Sequence, residues 1–79
     1  MKARVYVTLK GGILDPQGKA IEGALKSLGF DGIESVRQGK IFDIELALSD
    51  RAAAEGLLRE VCEKLLANQI IENFQVDIL

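Results

Sequence analysis

The stretch "LKGGILDPQGKAI", residues 9–21, holds two glycines, a proline and a Gly-Lys pair, the composition of a loop that could cradle phosphate. A Walker loop needs Gly, four residues, then Gly-Lys and a hydroxyl, so that successive N–H groups wrap the phosphates and Ser or Thr holds magnesium. Gly12 lies one residue too far from Gly18-Lys19, Ala20 has no hydroxyl, and Pro16 removes a donor. The spacing G-x-G-x-x-G is absent as well. The same residues suit a strand-to-helix corner: Asp15 as N-cap, Pro16 at the first helical position, and a carboxylate at the helix's positive end. The stretch is read as a corner and not as a nucleotide loop.

Two other groups could do chemistry. Asp43 and Glu45, two residues apart on one strand face, could serve as an acid–base pair, but neither has a positioned partner in the sequence. Pairing across a sheet with Arg4 and Lys10 is the expected role. Cys62 could be a nucleophile, yet it sits between Leu58 and Leu66 at helical spacing, where a small buried residue fits better than a thiolate. The chain has no histidine, the usual general base near neutral pH and the commonest metal ligand. Catalysis by this chain alone is not expected, and neither is a bound metal or cofactor.

Composition narrows the class further. Seventy-nine residues, 48% hydrophobic and without low-complexity runs, describe one domain over residues 1–79. The single cysteine excludes an internal disulfide and fits a reducing cytoplasm. A net charge of −2 from interspersed residues provides no field for nucleic acid or anionic lipid, and no apolar run is long enough to span a membrane.

These residues must be held by regular elements, and the periodicity supplies them. "ARVYVTLK" alternates, with Val5, Val7 and Leu9 on one face and Arg4, Tyr6, Thr8 and Lys10 on the other. A helix follows Asp15, with Ala20, Ile21, Ala24, Leu25 and Leu28 as its apolar stripe and Gly29 ending it. "IESVRQ" predicts a second strand, turned by Gly39 into a third, "KIFDIELAL", where Phe42, Ile44, Leu46 and Leu48 share a face. Ser49 or Asp50 caps a long second helix whose stripe runs through Ala54, Leu57, Leu58, Val61, Cys62, Leu65 and Leu66. Its polar face pairs Arg51, Glu55, Arg59 and Glu63, and Glu60 with Lys64. Asn68, in the left-handed conformation, ends that helix. "ENFQVDIL" is a last strand with Phe74, Val76 and Ile78 inward. The order βαββαβ predicts an α+β, ferredoxin-like two-layer sandwich with an antiparallel sheet in the order 4-1-3-2. Its open face would carry Tyr6, but Asp43 and Glu45 beside it repel phosphate, which disfavours RNA. Bare sheet edges favour a homo-oligomer joined through them.

The stretches "VYVTLK", "LDPQGKAI", "SVRQGK" and "CEKLLANQIIENF" together resemble the PurS family, small subunits of phosphoribosylformylglycinamidine synthase in purine biosynthesis. The resemblance implies a cytoplasmic, non-catalytic assembly subunit, itself a homodimer or higher oligomer. Its partners would be a glutaminase subunit that releases ammonia and a synthetase subunit that uses ATP and magnesium. On the matching stretches, Lys10, Asp15, Arg37, Lys40, Asn68 and Glu72 are the candidate subunit contacts. Asn73-Phe74 depart from the acidic residue and tyrosine expected there. Regulatory modules of the ACT type share the βαββαβ order and bind an amino acid at a glycine-bearing turn after the first strand, where this chain has Gly11-Gly12. They are the alternative.

Overall fold

The computed structural model describes residues 1–79. Its elements in chain order are β1 (Lys2–Leu9), α1 (Pro16–Ser27), β2 (Gly39–Glu45), α2 (Arg51–Val61), a π-helical turn over Cys62–Leu66, and β3 (Glu72–Ile78). The alternating strands pair as their patterns require. β1 is central and antiparallel to both neighbours, giving a three-stranded sheet in the order β2-β1-β3. Val5 stands opposite Phe42 on one side and Val76 on the other, so the inward residues of all three strands fall in rows.

One face of that sheet is covered by α2 and the turn that follows it. Val5, Val7, Cys62 and Ala67 form the buried centre, with Phe42, Ile44, Leu66, Phe74 and Val76 packed around them. Ala54 and Leu58, one turn apart on α2, are fully buried. Burying a valine or leucine of this kind contributes about 1.5–3 kcal/mol. The predicted stripe is wider than the buried one: Leu57 and Leu65 face outward, Leu65 with 80% of its surface exposed.

Four sequence expectations need correction. The strand over residues 33–38 does not form, so the sheet has three strands and the four-stranded order 4-1-3-2 is not realised. Val36 and Gln38 give their N–H groups to the Glu22 and Asp15 carboxylates on and beside α1, which ties this segment to the helix and not to the edge of β2. Gly39 is no turn residue but the first of β2, opposite Thr8. A Cβ there would come 2.7 Å from the Val7 carbonyl oxygen, so close strand approach is what requires glycine. Asn68 is not left-handed: the helix ends at extended Ala67, and the Asn68 side chain accepts the Ile70 N–H at 3.0 Å. Of the predicted pairs on the α2 face, Glu60–Lys64 closes at 2.6 Å, while Arg59 lies 5.8 Å from the centre of the Phe74 ring.

The two helices are not equivalent. α1 forms no packed layer with the sheet; together with residues 28–38 it projects as an arm. The radius of gyration is 16.0 Å and the molecule measures 49 × 25 × 15 Å, against about 12 Å for a compact chain of this length. No helix is long and apolar enough to cross a membrane.

Candidate functional site

The corner where β1 leaves the sheet and α1 begins is built from the chemistry of its residues. Asp15 caps α1 in an extended conformation, its Oδ1 accepting the Gly18 N–H at 3.0 Å, with Pro16 at the first helical position. Its second oxygen accepts the Gln38 N–H at 2.7 Å, so one carboxylate holds both the helix start and the segment returning to β2. These two bonds, Gln38 first and Gly18 next, hold the Asp15 carboxyl below the ordinary carboxylate value of 3.8, with Arg37 adding to them. Gly18 must be glycine because a Cβ would run into the Val36 carbonyl oxygen and the Asp15 carboxylate.

Arg37 completes the staple. Its guanidinium donates to the carbonyls of Ile13 at 2.9 Å, Lys10 at 3.1 Å and Leu9 at 3.5 Å. Glu22 accepts the Val36 N–H at 3.2 Å, and the Gln38 side-chain amide reaches that of Gln17. Across the sheet, Lys40 lies 3.6 Å from Glu72, whose other oxygen accepts the Asn68 N–H at 2.7 Å. Lys10 donates from its ammonium to Asn73 at 3.0 Å, and its backbone N–H to Ile71.

All six candidate contact residues therefore gather at one end of the sheet, in two connected groups. Asp15, Arg37 and the Lys10 backbone form one; Lys40, Glu72 and Asn68 form the other, and a shallow groove lined by Asp15, Gln38, Lys40 and Glu72 joins them. The sequence reading missed Glu22 and Gln38. Glu22 lies seven residues beyond Asp15, two turns along the same helical face, and that spacing was the available signal. Lys10 pairs with Asn73 and not with Asp43 or Glu45, contrary to the expected cross-strand pairing.

The other chemical candidates lie elsewhere and are engaged structurally. On the open face Asp43 holds Arg4 at 2.7 Å and keeps its guanidinium more firmly protonated, while Asp77 stands opposite Arg4 on β3. Glu45 stands opposite Lys2 at the far end of β2. Cys62 is buried against Val5 and Val7, and burial pushes its thiol pKa up, away from a nucleophilic thiolate. Gly11-Gly12 form an exposed turn, with Gly12 at φ 84°.

A family profile described as "PurS: Phosphoribosylformylglycinamidine (FGAM) synthase" matches residues 2–79. The chain belongs to the PurS family. A PurS subunit of Bacillus subtilis is 43% identical over 77 residues, 98% of this chain and 90% of that one. The subunit of Mycobacterium leprae is 47% identical over 75 residues, 95% and 91% of the two chains. Among solved structures, Methanocaldococcus jannaschii PurS superposes with a TM-score of 0.87 at 36% identity, covering 96% of this chain and 92% of that one. A chain of the Thermotoga maritima PurLQS structure gives 0.88 at 28% identity, covering 99% and 95%. Family membership decides against the ACT-type alternative.

Proposed function

We propose that this chain is the small, non-catalytic assembly subunit of a phosphoribosylformylglycinamidine synthase. In that role it brings together a glutaminase subunit, which releases ammonia, and a synthetase subunit, which uses ATP and magnesium to convert formylglycinamide ribonucleotide to formylglycinamidine ribonucleotide. Membership of the PurS family over residues 2–79, with a relative solved as part of PurLQS, is the observation that carries the reading. The chain is thus part of a ligase while holding no cofactor itself. Its thiol is buried and its glycine-lysine corner is consumed in capping α1, which agrees with leaving the chemistry to the larger partners. We place the work in the cytoplasm, treat residues 1–79 as a single domain, and take the chain to associate with itself as well as with both partners.

The stapled corner is the proposed contact surface. Lys10, Asp15, Arg37, Lys40, Asn68 and Glu72 hold one another and the backbone in a fixed arrangement, and a preorganised surface loses less freedom on docking. The experiment is reconstitution from purified subunits. Glutamine-dependent product formation should require this chain, and Lys40→Glu should weaken co-purification with the larger subunits. Full glutamine-dependent turnover in its absence would overturn the reading.

A further inference from the structure

We infer that the sheet end built from the loops over residues 10–14 and 67–71 presents two aliphatic knobs, Leu14 and Ile70, in a cationic surround, and that it docks on an acidic surface with apolar sockets on a larger subunit. The inference rests on the assembly role in the proposed function and adds the chemistry of the surface that this chain meets.

Both loops are rigid without being buried. Residues 10–13 form a type II turn: the Ile13 N–H reaches the Lys10 carbonyl at 3.2 Å, and Gly12 takes the left-handed place at φ 84°. Arg37 grips the same turn through the Lys10 and Ile13 carbonyls. In the second loop the Asn68 side chain accepts the Ile70 N–H, and its carbonyl accepts those of Ile71 and Glu72. The Gln69 side chain donates back to the Glu63 carbonyl at 3.3 Å. A bond of 2.8 Å from the Lys10 N–H to the Ile71 carbonyl joins the two loops. What these bonds hold outward is apolar. Leu14 is 69% exposed, and Ile70, at 84%, is the most exposed large apolar side chain of the protein. A lone exposed aliphatic residue needs no explanation. Two of them on joined loops, with the backbone already fixed, are anchors that cost little further ordering when they enter a socket.

The charge around these knobs is positive, although the whole chain carries −2. Lys19 and Glu22 share a shallow depression with Gly12, Ile13 and Leu14, and Lys40 pairs with Glu72 beneath the second loop. In both pairs the carboxylate is turned inward onto the backbone, Glu22 to Val36 and Glu72 to Asn68, and is only 14% and 13% exposed. Both ammonium-bearing side chains are more than half exposed. Asp15 is likewise taken up by two N–H groups. A balanced set of residues thus shows a partner its cations. Gly11, Gly12 and Leu14 also donate their N–H groups to nothing in the chain, which leaves donors suited to carboxylates.

The open face of the sheet has the opposite polarity. In its Arg4–Asp43 pair the carboxylate is the more exposed member, and Asp77 stands opposite Arg4 on the other side. Charge complementarity therefore selects an acidic partner for the knobbed end. The open face of another copy is acidic too, but that head-to-tail contact leaves the same two surfaces free on each copy and propagates into a ring or filament. Docking on a larger subunit ends there.

The test is the affinity of purified chain for the purified glutaminase and synthetase subunits, measured from about 50 to about 300 mM salt, where screening of exposed charge rises steeply. Binding of the unmodified chain should weaken as salt rises. Leu14→Asp and Ile70→Asp should each weaken binding to a larger subunit at least about 10-fold, with unchanged melting temperature, because both side chains are exposed in the single chain. Lys19→Glu should weaken binding and flatten its salt dependence, Lys19→Arg should restore both, and Asp43→Lys on the open face should leave affinity as it was. An unmodified chain that binds neither subunit overturns this inference together with the proposed function. Binding that is unmoved by Leu14→Asp and Ile70→Asp, or that strengthens with salt, overturns this inference alone. So does a Lys19→Glu effect confined to sedimentation of the chain by itself.

Discussion

In the sheet half of the molecule Val5, Val7, Ala54, Leu58 and Cys62 are almost wholly removed from water, whereas in the arm the buried residues are Asp15 and Gly18. The first half is held by apolar packing between elements far apart in sequence. The second is held by hydrogen bonds from a few polar side chains to nearby backbone, and it leaves its apolar stripe in solvent. Helices of comparable pattern thus meet different ends. α2 follows a loop that returns it over the sheet, and α1 starts from a corner whose direction is fixed by a carboxylate and a guanidinium. An amphipathic stripe states that a helix wants a partner; it does not state which chain provides one.

The largest expected effect lies in the sheet half. Leu58→Ala should cost about 2–5 kcal/mol, because the cavity would open beneath α2 against a rigid sheet. The matching substitution on the arm, Leu28→Ala, should leave the unfolding free energy of the dilute chain within about 0.5 kcal/mol of the original. Urea unfolding of both measures the contrast, and equal losses would erase the distinction between the two regions.

Next in size is the staple. Asp15→Ala should lower the melting temperature by about 4–8 °C, from loss of the cap alone. If capping were its only role, Asp15→Asn would cost much less than Asp15→Ala, since the amide oxygen can still accept the N–H bond. The structure corrects that expectation, since both oxygens accept N–H groups and an amide offers only one acceptor. Asparagine should therefore fall clearly below the original. The pH dependence has a definite sign. The folded pKa of Asp15 is depressed, so its contribution is complete above the ordinary value of 3.8 and is lost as pH falls through the lower folded value. The stability gap between the original and Asp15→Asn should be constant from pH 7 to about 5 and close on further acidification. A gap that widens on acidification contradicts the staple.

A smaller, kinetic contrast concerns the one thiol. Cys62 should react with a thiol reagent far more slowly in the native chain than in urea, because burial both blocks access and raises its pKa. Rapid native labelling would mean that α2 lifts readily from the sheet. The smallest effect is on the exposed face of α2. Breaking the Glu60–Lys64 pair with Glu60→Ala should change stability by about 0.2–0.5 kcal/mol, close to the limit of measurement.

By itself the sequence determined the inward faces of the sheet, the cap at Asp15, a second cap at Ser49 or Asp50, of which the structure takes Asp50, and the Gly29 stop. Each follows from a short-range rule: period-two alternation, an acceptor for free N–H groups, a residue that tolerates positive φ. The tertiary structure alone decided that residues 33–38 leave the sheet and that Arg59 turns to Phe74. It also decided that α1 points away from the core and that six scattered residues meet at one corner. Those outcomes depend on competition between distant partners. Val36 and Gln38 could pair with a strand or with carboxylates, and what tips the balance is that Glu22 and Asp15 stand on one helix face with the N–H groups in reach. No local pattern contains that distance, because it exists only after the chain has turned.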